Sequence, residues 1–160
     1  MDLDHDDLAG VLDLFGGLTR AELDRALEEL AFRAGDAGAV PGDDVVETAV
    51  EAFAVVRYER EDGPPLLVPG PTAFPTIPDH GEDLPHLLDV DRRRIDRASL
   101  GDAAVDRFRS VAATAVAEGD EERIAELLDL SYELEAWAPV DVAPIRDRLD
   151  AAIADDGSNG

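Results

Sequence analysis

Residues 69–94, PGPTAFPTIPDHGEDLPHLLDVDRRR, gather the side chains of this chain best equipped for chemistry. His80 and His86 lie among Asp79, Glu82, Asp83 and Asp89, and imidazole with carboxylate is a ligand set for a divalent cation. The spacing argues against a metal. Histidines that share one usually stand a helical turn apart or at short strand spacing, and these are six residues apart behind a run of prolines. An acid beside any histidine is also expected by chance, because the chain holds 38 acids. We read His80 and His86 as surface-loop histidines and assign no metal or other cofactor; His5, in the acidic N-terminus, is read the same way.

Arg92, Arg93, Arg94 and Arg97 follow within six positions. Guanidinium groups so grouped suit a phosphate or an acidic partner. Asp89, Asp91 and Asp96 stand among them, so local ion pairing is the stronger competing reading. Trp137, the only tryptophan, precedes Pro139 at an expected helix end. It reads first as a core plug and second as an anchor for a partner. No catalytic residue is assigned. Cysteine is absent, which excludes disulfides and thiolate chemistry. Ser99, Ser110, Ser131 and Ser158 lie in no nucleophile-elbow context, and no glycine motif opens a helix as phosphate binding requires.

The composition sets the surroundings for these residues. Thirty-eight acids face fourteen bases, every base is arginine, and the formal charge is −24. In dilute buffer such a surface repels itself. In molar salt the Debye length falls to about 3 Å, and the same carboxylates hold water and cations at little electrostatic cost. Together with absent lysine and alanine- and valine-rich helices, this points to a salt-adapted, acidic protein. The start has no basic segment and no apolar run nears spanning length, so we expect a cytoplasmic protein with no membrane partner.

Helices must position everything else. Leu8, Val11, Leu12 and Phe15 share a face, as do Leu23, Ala26, Leu27, Leu30 and Ala31 behind a Thr19/Glu22 capping box. A loop over 35–42 leads to a third helix, opened by Asp43 or Asp44, with Val46, Ala49, Val50 and Phe53 inward. Residues 54–68 could continue that helix or form a short hairpin around DGPP. Seven of ten prolines fall between Pro64 and Pro85, so extended or turn structure is expected there, packed down through Phe74 and Ile77. Three further helices follow. Ser99 caps the first, with Val105, Phe108, Val111, Ala112 and Ala115 inside. Asp120 caps the second and Asp141 starts the third.

The expectation is therefore a mainly α protein of about six helices, in two three-helix groups joined by a proline-rich connector, with room for one hairpin. Its regions are 1–61, the connector 62–97, 98–154 and a disordered tail 155–160, together one compact domain. Three helices and a hairpin are also the parts of a winged helix. The helix that would read DNA, however, carries Asp43, Asp44, Glu47 and Glu51, and such a face repels phosphate.

The blocks LTRAELDRALEELAFRAG, LLVPGPTAFPTIP and ERIAELLDLSYELEAWAPVD, in this order, resemble an uncharacterised haloarchaeal family, a domain of unknown function. The resemblance spans Leu8 to Leu149. It implies a cytoplasmic haloarchaeal protein and transfers no activity, cofactor or catalytic residue. The leading functional expectation is a non-catalytic interaction or adaptor module with a protein partner. A DNA-binding winged-helix regulator comes second and an enzyme third.

Overall fold

The computed structural model describes residues 3–35 and 43–158, Asp43 and the last four of these by backbone alone. Seven helices and one antiparallel hairpin are present among them, so the fold is mainly helical. The chain divides into two compact units, Met1–Ile95 and Asp96–Gly160.

In the first unit α1 (His5–Phe15), α2 (Arg20–Arg33) and α3 (Asp43–Glu51) precede the strands β1 (Val55–Tyr58) and β2 (Leu66–Pro69). The apolar faces read from periodicity are the buried ones: Leu8, Val11, Leu12 and Phe15 on α1, Leu23, Ala26, Leu27, Leu30 and Ala31 on α2, and Val46, Ala49 and Val50 on α3. Each large side chain so buried is worth about 1.5–3 kcal/mol. Thr19 and Glu22 make the expected capping box. Asp4 and Asp7 make another at the start of α1 that sequence reading missed. The aspartates proposed to cap α3 lie inside its first turn instead. Its cap position, with most of the 35–42 loop, falls outside the described residues.

The ambiguity over 54–68 resolves as a hairpin, with Val56 opposite Val68 and Tyr58 opposite Leu66. Between α1 and α2, Leu18 adds a rung by exchanging backbone hydrogen bonds with Leu67 of β2, at 3.1 and 2.7 Å. Phe53 turns the chain from α3 into β1 at φ +60, a left-handed backbone unfavourable for an aromatic residue, while its ring is buried. A five-residue helix, α4 (Leu84–Leu88), lies inside the proline-rich stretch, where only turns and extended chain were expected. Proline is tolerated in a helix's first turn, and Pro85 sits there.

The second unit is α5 (Arg97–Glu118), α6 (Glu121–Trp137) and α7 (Ala143–Ser158). Asp96, rather than Ser99, caps α5: its carboxylate accepts from the Ser99 amide and hydroxyl at 3.1 and 2.9 Å. Asp120 caps α6 as expected. Phe108, Ala112, Ala115, Ile124, Leu127, Leu134 and Leu149 are buried, whereas Val105 and Val111 are only partly so. Helix α7 continues to Ser158, four residues into the stretch expected to be tail. No helix among the described residues is long and apolar enough to cross a membrane.

Candidate functional site

Phe74 and Ile77 each precede a proline, and both are thereby held out of the helical region. The strap they belong to is bound to the first turn of α1 through its backbone. The Phe74 amide donates to the Asp6 carboxylate at 2.9 Å, and the Thr76 amide to the Asp6 carbonyl at 3.0 Å. The Thr76 hydroxyl donates to the Asp7 carboxylate at 2.9 Å. Gly10, buried within α1, makes this approach feasible, since a Cβ there would stand 1.7 Å from the Thr76 carbonyl oxygen. Glycine inside a helix costs about 1 kcal/mol against alanine, and close backbone passage is the usual reason to keep it.

Backbone contact on one side sends the side chains out on the other. Phe74 is 78% exposed and Ile77 52% exposed, the reverse of the packing expected for them. Proline leaves this strap few amides, and Asp6 accepts from two of them, Phe74's on its carboxylate and Thr76's on its carbonyl, so its polar edge faces the helix. Ala73 packs on the core and Thr76 bonds to α1, while Phe74 and Ile77 face water. That period of three belongs to polyproline II geometry. A broad concavity of about 620 Å³, lined in part by Asp6, Asp44, Thr48 and Thr72, opens beside the strap.

The arginine run is distributed rather than pooled. Arg92 donates to the carbonyl of Asp13 at 3.1 Å, near the C-terminus of α1, where helix carbonyls lack partners and a cation is favourable. The Arg93 amide donates to the Phe15 carbonyl at 2.7 Å. Its guanidinium binds both oxygens of Glu22, at 2.6 and 3.1 Å, and the Gly17 carbonyl at 3.1 Å. Glu22 thus caps α2 and anchors residue 93 together. The hydrogen bonds from Arg93 hold its carboxyl below the usual carboxylate range, against the opposing effect of desolvation. Arg94 is exposed. Arg97, in the second unit, donates to the Trp137 carbonyl and stacks over its indole at 4.7 Å. Trp137 is half-buried.

His80 and His86 are exposed, and His80 adopts a left-handed backbone at φ +72. Among the described residues no three histidine or carboxylate side chains gather as a metal would need. In the second unit a half-buried polar cluster joins α6 to α7. Arg146 donates to Ser131 at 2.9 Å and to Glu135, and lies over Tyr132 at 4.0 Å. The Glu135 carboxyl is held low chiefly by that hydrogen bond from Arg146. Ser131 itself donates to the Leu128 carbonyl at 2.6 Å, so its hydroxyl proton is held by the backbone. Local spacing gave no signal for this cluster, because its partners sit on two helices.

No curated protein and no solved structure matches the chain. A family model does, over residues 6–154, which cover most of both units and the strap at 73–78. With nearly its whole length so matched, the chain belongs to the family of unknown function DUF7109.

Proposed function

We propose that this protein is a non-catalytic interaction module adapted to a salt-rich cytoplasm, and that it binds a protein partner through the strap at 73–78. One observation carries the reading: Phe74 and Ile77 are held in water on a strap fixed to α1 by two backbone hydrogen bonds and one from the Thr76 hydroxyl. Burying such side chains yields about 1.5–3 kcal/mol each, and a strap already ordered loses little entropy on docking. Pro75-Thr76-Ile77-Pro78 also has the P-x-x-P spacing that aromatic-lined grooves accept. Asp79, Glu82 and Asp83 nearby favour a groove with a cationic rim.

The halophilic part of the reading, and with it a haloarchaeal source, rests on the charge of −24 and the lack of lysine. It requires the fold to depend on salt, and circular dichroism after dialysis into dilute buffer should show helix lost. A spectrum unchanged without salt would remove that part. The interaction itself is tested by affinity capture from a native high-salt lysate. A partner retained by the wild type and released by the double variant Phe74→Ser/Ile77→Ser supports it. Recovery of the bait alone, or equal capture by both proteins, refutes it.

A second reading, a DNA-binding regulator, is favoured by the element order of the first unit. Helix, bridge, helix, helix and hairpin, with Leu18 paired to the second strand, is the layout of a winged helix. The exposed face of α3 carries Asp44 and Glu47, and Arg57 on β1 is ion-paired to Glu47 at 3.7 Å. Counterion release needs basic contacts that this face lacks. Fluorescence anisotropy with duplex DNA, at the salt the fold needs, should show no binding; saturable binding would promote this reading over the first.

A further inference from the structure

A second concavity lies wholly within the other unit, between α5 and α7, and the interaction reading makes no use of it. It encloses about 480 Å³, within the range of small-molecule sites. Ala112, Ile145 and Leu149, all buried, form its floor. Ala113 and Ala117 on α5 and Ala151 and Ala152 on α7 line it with methyl groups, which keeps the space open. Val116, 40% exposed, edges it. From Arg109 to Ala117 the lined stretch of α5 runs about 12 Å at helical rise, the length of a medium-chain tail.

Arg109 and Arg148 are the charged residues of the lining, and among the described residues no carboxylate shares it. Arg109 has a single exposed contact, to Asp106 at 3.1 Å. Arg148 has no ion-pair partner among the described residues. In a chain of charge −24, an apolar groove bounded by two guanidiniums reverses the local sign. A two-fold pairing of copies across this groove would bring the same arginines toward one another, so like charge disfavours a second copy as the occupant. An uncharged ligand would give Arg148 no carboxylate and leave Arg109 only its exposed contact to Asp106.

We infer that this groove binds a small amphiphilic anion, its apolar tail along the alanines and its carboxylate on Arg148 and Arg109. Guanidinium meets carboxylate in planar, two-point fashion, and an apolar wall beside it strengthens the contact.

Isothermal titration of the full chain with octanoate, below micellisation and at the salt the fold needs, tests this. One saturable site is expected. Arg148→Gln should weaken it about tenfold, the scale of one charge-assisted hydrogen bond. Octanol should bind about tenfold more weakly than octanoate for the same reason. Ala113→Leu, at an exposed position, should fill the groove and abolish binding while leaving the helical spectrum intact. Absence of saturable octanoate binding overturns the inference, as does equal affinity for octanol or full binding by Ala113→Leu. Light scattering adds one more outcome: a dimer dispersed by Ala113→Leu without ligand would give the groove to a second copy and overturn it as well.

Discussion

The two units use the same small apolar residues and the same excess of acid, yet they are tied together on different length scales. In Asp96–Gly160 each helix packs mainly on the next, with α5 also touching α7. Arg146 reaches back to Ser131 and Glu135, and the Val142 amide bonds Glu135 at 3.2 Å. In Met1–Ile95 the ties span most of the unit: Glu22 to Arg93, Asp6 and Asp7 to Phe74 and Thr76, Leu18 to Leu67. A local bundle depends on its side chains. A wrapped unit depends also on where a backbone is allowed to pass.

Gly10→Ala should break that contrast most severely. On an open helix alanine would stabilise by about 1 kcal/mol. Here its Cβ would meet the Thr76 carbonyl oxygen at 1.7 Å, and the strap would have to leave α1. We expect a loss of about 3 kcal/mol or more in urea unfolding. Gly119→Ala in the second unit, at φ +67 with nothing within 4 Å, should cost only the left-handed strain, about 1–2 kcal/mol. Equal losses would mean that the strap yields freely.

Glu22→Gln comes next, at about 1–2 kcal/mol near neutral pH. Because the folded carboxyl is held below its ordinary value, its stabilisation is present above the unfolded value, about pH 4.3, and fades as pH falls through the lower folded one. The gap between wild type and variant should therefore narrow below about pH 4. A gap constant from pH 7 to 3 would assign the effect to packing rather than to the ion pair.

The smallest effects sharpen the comparison within the strap itself. Thr76→Val, on the side facing α1, should cost about 1 kcal/mol for its lost hydrogen bond. Phe74→Ser, on the side facing water, should change stability by less than about 0.5 kcal/mol. Thermal midpoints of the two variants decide it; a Phe74 variant less stable than the Thr76 variant would show that the ring is packed after all.

What could be read in advance follows the same division. Apolar periodicity in Leu8–Phe15, Leu23–Ala31 and Ile124–Leu134 located helices and their inner faces, because those signals are local. The β-prone Val55, Val56 and Tyr58 before DGPP raised a hairpin beside a continued helix without deciding between them, because a short apolar run fits both. Asp96 was overlooked beside Ser99 since both can cap; the carboxylate wins by binding the serine's amide and hydroxyl together. The Glu22–Arg93 pair and the outward turn of Phe74 had no local signature at all. One clue was present and unused: Gly10, on an apolar helix face, marks a place where another backbone comes close.

The position of Arg93 also bears on how the protein is made. A ribosome delivers α1 and α2 long before the residues that complete them, and the bond from Arg93 to Glu22 joins nearly the last-made part of the first unit to nearly its first. Until Leu84 and Leu88 emerge just ahead of that latch, part of the core that the early helices share stays open to chaperones or to neighbouring chains. A nascent chain stopped short of Leu84 would leave it so.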